Sequence, residues 1–287
     1  MKTNIFDGNA FTQKKLALLK REFISLNKPL KLVSIVHKED KIGLTYTNLK
    51  KETSKLLGIK FESIEISFKD KPSKIINTIS NTSKDFSVNG LLIQKPSKSI
   101  WAKHYKGNLS FFDWWEQFTN EVSPKKDVDC LTRINLDAVY QGKSDFLPAT
   151  AVAVLDILKY ALKFDPLDTD WGDLVISIVG KSELAGKPLS EKLSQWGAKT
   201  YLLGSKDDLM EFLPRSDIVI SATGVSHLIT NDLIKQDSII IDLGEPKPDV
   251  DFENASKKAS FITPVPGGVG PVTIFCLFQN LIQICSN

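Results

Sequence analysis

"DLVISIVGKSELAGKPLSEKL", Asp173 to Leu193, begins with a nearly unbroken apolar run, reaches Gly180, and then continues in a mixed polar and apolar pattern. A short run that is apolar at odd and even positions alike reads as a strand buried on both faces of a sheet. A glycine that ends such a strand and leads into a helix gathers backbone N–H groups and the positive end of a helix dipole, a combination that suits a phosphate. The glycine spacing, Gly180 then Gly186 with Ser182 between, is not G-x-G-x-x-G, so a tight turn without a ligand stands as the alternative.

Three more runs of the same kind follow. "KTYLLG" (Lys199–Gly204), "DIVISATG" (Asp217–Gly224) and "SIIIDLG" (Ser238–Gly244) are each mostly apolar and each end in glycine. Together the four predict a doubly wound parallel sheet whose carboxyl edge is lined by Gly180, Gly204, Gly224 and Gly244, where a dinucleotide lies in such sheets. The end of the second strand bears on which dinucleotide. It reads "YLLGSKDD", so Ser205 and Lys206 precede Asp207 and Asp208, and Lys181 adds a cation in the glycine loop. Hydroxyl and cationic groups favour NADP, while the two aspartates keep NAD open.

Upstream, "LKLVSIV" (Leu30–Val36), "SIEISF" (Ser63–Phe68) and "GLLIQ" (Gly90–Gln94) alternate with segments of helical length, the pattern of a first α/β layer. "LPATAVAVLDILKYAL" (Leu147–Leu162) predicts a helix bridging the two halves. The aromatic-rich stretch Trp101–Phe118 predicts a helix that packs its rings on the body. A chain of 287 residues fits two domains of ordinary size. A net charge of +3, with both signs interspersed, gives no nucleic-acid footprint. Three cysteines without metal-ligand spacing suit a reducing compartment. No stretch reads as a membrane span or a secretory signal, so a cytoplasmic protein is expected.

Candidate chemistry in the first half starts at Tyr46 and Lys50, four residues apart and so on one face of a helix. A ring beside an amine suits a flat heteroaromatic substrate, although such pairs are also commonplace on surfaces. Gln94 ends the third apolar run, and Asp129 lies in "SPKKDVDCLTRIN" (Ser123–Asn135). Near the end, "FITPVPGGVGPVTIF" (Phe261–Phe275) crowds three prolines, Pro264, Pro266 and Pro271, and three glycines, Gly267, Gly268 and Gly270, between two apolar runs, more than a simple turn requires.

Taken in order, "DG" at Asp7 and Gly8, Tyr46-x-x-x-Lys50, "GLLIQKP", "PKKDVD", "GKSELAGKP" and "ITPVPGGVGPVT" resemble the bifunctional methylenetetrahydrofolate dehydrogenase and methenyltetrahydrofolate cyclohydrolase family, FolD, nearly end to end. The resemblance implies an N-terminal α/β folate-site domain, residues 1–146, completed by a C-terminal helix over 271–287. It also implies a Rossmann-type NAD(P)-binding domain over 147–270, no metal, and a homodimer. The implied reactions are hydride transfer from 5,10-methylenetetrahydrofolate to the nicotinamide, then hydrolysis of the methenyl product to 10-formyltetrahydrofolate. Lys50 is the implied proton-transfer group. A partly buried lysine facing a cationic substrate has its charged form disfavoured, which suits a base. Gln94 is expected to hold the lysine and the water, Asp129 to accept hydrogen bonds from the pterin, and Tyr46 to stack on the ring.

The resemblance also implies folate contacts from Ile93, Pro96 and the loop Pro264, Val265, Pro266, Gly267, Gly268, Val269, Gly270 and Pro271. For the cofactor it implies Gly180, Lys181, Ser182, Gly186, Ser205, Lys206, Thr223, Gly224 and Glu245.

The chain departs from the family at several points. Cys130 follows "DVD" where glycine is usual, so a different backbone path is expected there. Lys95 and Lys98 stand in "QKPSK", and Lys181 replaces an arginine. Glu245 follows the fourth strand, where it could repel cofactor phosphates. Two other possibilities stay open: a folate-binding homologue that has lost activity, and another nicotinamide-dependent dehydrogenase on the same fold.

Overall fold

The computed structural model describes residues 3–163 and 170–286. The first half of the chain carries β1 (Asn4–Ile5), α1 (Gly8–Ser25), β2 (Lys31–His37), α2 (Lys41–Leu57), β3 (Lys60–Ile66), α3 (Pro72–Lys84) and β4 (Gly90–Ile93). There follow α4 (Lys98–His104), α5 (Phe111–Thr119), α6 (Arg133–Tyr140) and α7 (Ala149–Leu162). The second half carries β5 (Val175–Val179), α8 (Gly186–Gln195), β6 (Lys199–Leu203), α9 (Leu209–Phe212), β7 (Ile218–Ser221), β8 (Ile239–Asp242), α10 (Phe252–Ala255), β9 (Phe261–Ile262) and α11 (Val269–Ser286).

These elements form two compact units. One contains the residues up to Lys14 and Ala138–Cys276; the other contains Lys15–Asp137 and the residues from Leu277 on. The first unit holds a parallel sheet of order β1-β9-β8-β7-β5-β6. The chain leaves β5 for β6 on one side and then crosses to β7 on the other. That reversal places a topological switch point at the carboxyl ends of β5 and β7. Ile176, Ile178, Ile218, Ile220, Ile240 and Ile241 are buried on both faces, as the apolar runs predict. The expected boundaries put the first residues with the other half. Instead Asn4 and Ile5 pair in register with Phe261 and Ile262, which joins them to this sheet.

The second unit holds the parallel sheet β3-β2-β4. Its helix α2 starts where the Asp40 carboxylate accepts the Gly43 N–H at 3.0 Å and ends at Gly58 in the left-handed region, φ 81°. Its inner face is Gly43, Thr47, Lys50, Ser54 and Leu57, a three- and four-residue spacing that buries two hydroxyl side chains and one charged side chain beside Gly43 and Leu57.

Helix α11 corrects one expectation: over Val269–Ser286 it is long and apolar enough to cross a membrane by length and composition. The glycines and prolines at its start and the interspersed Gln279, Asn280 and Gln283 mask this in the sequence. Phe275, Phe278 and Leu281 are fully or almost fully buried, as in the core helix of a globular protein.

The aromatic-rich stretch forms two short helices, α4 and α5, where one was expected. Trp114, Trp115 and Phe118 are buried, and Trp114 stacks on Phe68 at 5.5 Å. His37, at the end of β2, stacks on the same Phe68 at 4.1 Å and is 1% exposed. Burial lowers its pKa to about 4, with Glu39 and Asp70 opposing the shift in part. An unfolded chain therefore binds a proton at His37 that the folded chain does not, so stability should fall as pH drops from about 6.5 to about 4. The loss at this site is on the order of 3 kcal/mol across that window. Urea titrations of wild type and His37→Phe should show the acid-side slope flattened in the variant; equal slopes would assign the loss to other groups.

Candidate active site

In the second unit, Lys50 projects from α2 toward the end of β4, where its Nζ donates to Gln94 Oε1 at 2.6 Å. Gln94 is placed there by its own backbone, whose N–H continues the ladder to Ile35 O at 2.8 Å. Gly43 lets the two elements approach: a Cβ on it would stand 3.0 Å from Gln94 Cγ and 2.5 Å from the Asp40 carboxylate. The Tyr46 ring lies one turn before Lys50, with the ammonium 5.9 Å from its centroid. Lys50 is only 7% exposed, so this pair is not the ordinary surface pair that its spacing alone would allow.

Asp129 approaches along a neighbouring path. The Leu91 N–H bonds Lys126 O at 2.7 Å, and Leu91 bridges in parallel to Asp127. The segment therefore runs beside β4 in the same direction, and Gln94 and Asp129 leave the sheet at the same edge. What holds Asp129 in place was missed from the sequence. Asp127, fully buried, accepts the N–H groups of Leu131 and Thr132 and the Asn135 amide, each at 2.9 Å, and the Asp129 N–H at 3.3 Å. From α11, Asn280 adds a hydrogen bond to Val128 O at 3.0 Å.

Cys130 corrects the expected change of path. Its φ is 51°, the left-handed region that glycine favours, so the chain keeps a glycine-like turn with a side chain in it. That conformation costs about 1–2 kcal/mol for a non-glycine residue, and the hydrogen bonds to Asp127 on both sides hold it. The thiol is fully buried, and burial, with Asp127 and Asp129 nearby, pushes its pKa far up, so it is no nucleophile.

Ile93 and Pro96, expected at the folate, are both buried, Ile93 at 1% exposure within β4. Lys95 turns over aromatic rings, 5.3 Å from the Trp115 centroid and 5.6 Å from that of Phe111.

In the first unit, Gly180 has φ 113°, and a Cβ there would stand 2.3 Å from Ala222 O, so the ends of β5 and β7 touch through backbone. Gly186 is equally constrained, because its Cβ would meet Gly180 O at 1.9 Å. Ser182 Oγ accepts the Gly186 N–H at 3.0 Å and shapes the first turn of α8. Thr223 and Gly224 are held by a second overlooked acid: Asp249 Oδ2 accepts their N–H groups at 2.7 and 3.3 Å, and the Ser221 hydroxyl at 2.9 Å. Beside it, burial raises the pKa of Asp242 against three backbone N–H donors that lower it. A backbone that close-packed at a switch point, with a cation at Lys181, fits a dinucleotide. Ser205, Lys206 and Glu245 are exposed along this edge.

The Pro-Gly loop also belongs to this unit up to Cys276. Gly8 donates to Gly267 O at 2.9 Å, and Gly268 donates to Pro264 O at 2.9 Å. A Cβ on Gly8 would stand 2.0 Å from Gly268 O, and one on Gly268 would stand 2.4 Å from Pro264 O. Gly267 has φ 96°. The density of glycine and proline is thus explained first by a backbone-on-backbone crossing with the "DG" turn at the start of α1.

The chain matches the catalytic domain of tetrahydrofolate dehydrogenase/cyclohydrolase over residues 6–129 and the NAD(P)-binding domain of the same enzyme over residues 148–287. It is 32% identical to the bifunctional protein FolD of Clostridium tetani, over 88% of this chain and 86% of that one. Against the FolD of Mycoplasma capricolum the identity is 32%, over 98% and 97%. The crystal structure of the bifunctional enzyme FolD from Campylobacter jejuni, 29% identical, superposes with a TM-score of 0.85 over 99% of both chains. With both domain families matched and relatives of this identity along nearly the whole chain, this protein belongs to the bifunctional methylenetetrahydrofolate dehydrogenase/cyclohydrolase family, FolD.

Proposed function

We propose that this chain oxidises 5,10-methylenetetrahydrofolate to the 5,10-methenyl form with NADP and hydrolyses that product to 10-formyltetrahydrofolate, with Lys50 as the proton-transfer group. The observation that carries this is the 2.6 Å contact of the buried Lys50 amine with the Gln94 amide.

When bound, the nicotinamide accepts the hydride. The resulting cation is delocalised over the two folate nitrogens, so the first step asks the protein mainly for alignment. Tyr46 is suited to this as a flat surface against the ring, and Asp129 as an acceptor for the pterin amino group and adjacent ring N–H. Folate contacts from Ile93, Pro96 and Pro264–Pro271 rest on the family resemblance.

Hydrolysis is different. Water adds to the methenyl carbon and loses a proton, giving a neutral hydroxyl adduct; a C–N bond of the five-membered ring then breaks as its nitrogen gains a proton and the hydroxyl loses its own, so that the formyl C=O forms and one proton is released overall. Lys50 Nζ takes the first proton and returns one to the departing nitrogen. Its partner matters: a carboxylate in place of Gln94 would hold the amine as an ammonium ion, whereas a neutral amide orients it without that bias. The Gln94 NH2 group is left to donate to the water.

NADP is favoured over NAD by the end of β6. Ser205 and Lys206 lie exposed there, and the Lys181 stem crosses Gly204. Of the two aspartates that would favour NAD, Asp208 is turned to the Met210 N–H at 3.0 Å at the start of α9, and Asp207, which accepts the Gly204 N–H at 2.6 Å, is paired with Lys181 at 3.3 Å, so it opposes the preference only in part. Initial rates of methylenetetrahydrofolate oxidation with each cofactor should give the higher kcat/KM for NADP; turnover with NAD alone would remove the NADP assignment. Cytoplasmic location is supported by Cys130, Cys276 and Cys285 forming no disulfide among the described residues. A homodimer rests on the resemblance alone.

A further inference from the structure

We propose that Asp207 is a specificity-determining residue that restrains the preference for NADP, by competing with the 2′-phosphate for Lys181 and repelling that phosphate directly. This rests on reading the carboxyl edge of the larger sheet as the dinucleotide site.

Strands β5 and β6 are parallel neighbours, and the Gly180 N–H bonds Leu203 O at 2.8 Å. Lys181, leaving β5, therefore starts beside Gly204, leaving β6. Its stem lies across that glycine: a Cβ on Gly204 would stand 3.0 Å from Lys181 Cε and 3.3 Å from Cδ. The ammonium ends 3.3 Å from Asp207 Oδ2.

The two partners are not equally free to move. Asp207 is fixed by its own turn, its Oδ2 accepting the Gly204 N–H at 2.6 Å and its N–H bonding Gly204 O at 3.1 Å. Those bonds, the backbone one first and Lys181 after it, also lower its pKa, so it is a carboxylate at neutral pH. Lys181 is held by the ion pair at the end of a flexible stem, and its side chain is 52% exposed. An incoming anion can turn the lysine but not the aspartate.

The end of the second strand is where the adenosine ribose places its 2′ position in sheets of this type. A 2′-hydroxyl can donate to the Asp207 carboxylate. A 2′-phosphate must draw Lys181 away and remain near a fixed negative charge. Asp207 therefore costs NADP affinity and leaves NAD affinity unchanged or slightly improved, so that the two cofactors come closer together than Lys181, Ser205 and Lys206 alone would set them. Asp208 cannot substitute, because its carboxylate is turned to the Met210 N–H.

The test uses the full chain and its Asp207→Asn variant, which keeps an acceptor for the Gly204 N–H while removing the charge. Adenosine 2′,5′-bisphosphate and adenosine 5′-monophosphate are titrated calorimetrically into each, at low and high salt. The variant should bind the bisphosphate roughly three- to tenfold tighter, with the monophosphate unchanged or weaker and the gain reduced at high salt. The kcat/KM ratio for NADP over NAD should rise in parallel. Lys181→Met should lose most of the gain when combined with Asp207→Asn. An unchanged bisphosphate-to-monophosphate ratio in Asp207→Asn overturns the proposal while leaving the dinucleotide site intact. If neither probe binds the wild type, the reading of this edge falls, and the proposal with it.

Discussion

Lys50→Met should slow hydrolysis of 5,10-methenyltetrahydrofolate by about 10²- to 10⁴-fold, the usual contribution of a positioned proton-transfer group. Methionine fills much of the volume of a side chain that is 7% exposed, so the fold should survive the change. What disappears is the nitrogen that Gln94 holds at 2.6 Å. Folate binding, measured by titration, should weaken far less than the hydrolytic rate. The oxidation step should also survive better, since it requires alignment and no proton transfer at that nitrogen. An unimpaired hydrolytic rate in this variant would remove Lys50 from the mechanism. Gln94→Ala should have a smaller effect in the same direction, because the amine remains but loses its fixed position.

Gly8→Ala should destabilise the protein by about 3 kcal/mol or more, the range for forcing an atom into a close-packed site. The added Cβ would stand 2.0 Å from Gly268 O and 2.7 Å from Gly267 O, both backbone atoms with no rotamer to yield. The strand pairing of Asn4–Ile5 with Phe261–Ile262 just before it and the hydrogen bond from Gly8 to Gly267 resist separation. Gly197→Ala provides the comparison. It has φ 96° but nothing within 4 Å of its would-be Cβ, so only the backbone penalty of about 1–2 kcal/mol applies. Urea denaturation of both variants checks this; equal midpoints would show that the crossing relaxes without cost.

The architecture of the larger sheet was legible because β5, β7 and β8 are apolar runs ended by a turn signal, which marks a doubly buried strand, whereas β6, expected to be the same, is a half-exposed edge strand that begins with Lys199 and Thr200. Strands β1 and β9 were not, since two-residue strands carry no period. That is why the pairing of Asn4 and Ile5 with Phe261 and Ile262 was not foreseen. The Tyr46 and Lys50 pair was legible as a shared helix face, but its burial was not: nothing in a four-residue spacing says that Gly43 opens room for Gln94 beside it. Asp127 and Asp249 were overlooked for a related reason. An acid that serves backbone N–H groups from the interior looks, in sequence, like any acid in a loop, and its partners are fixed only once the turn closes. The turn at Cys130 shows the converse. Residue type argued for a new path, and the hydrogen bonds around Asp127 kept the left-handed one.

The most direct test of the two-step function is a single reaction of wild-type protein with 5,10-methylenetetrahydrofolate and NADP, following reduced cofactor, methenyl and formyl products together. Reduced cofactor and 10-formyltetrahydrofolate should rise together, with the methenyl form consumed faster than in buffer alone. Absence of reduced cofactor with NADP or NAD, or methenyl product that decays only at the buffer rate, would contradict it.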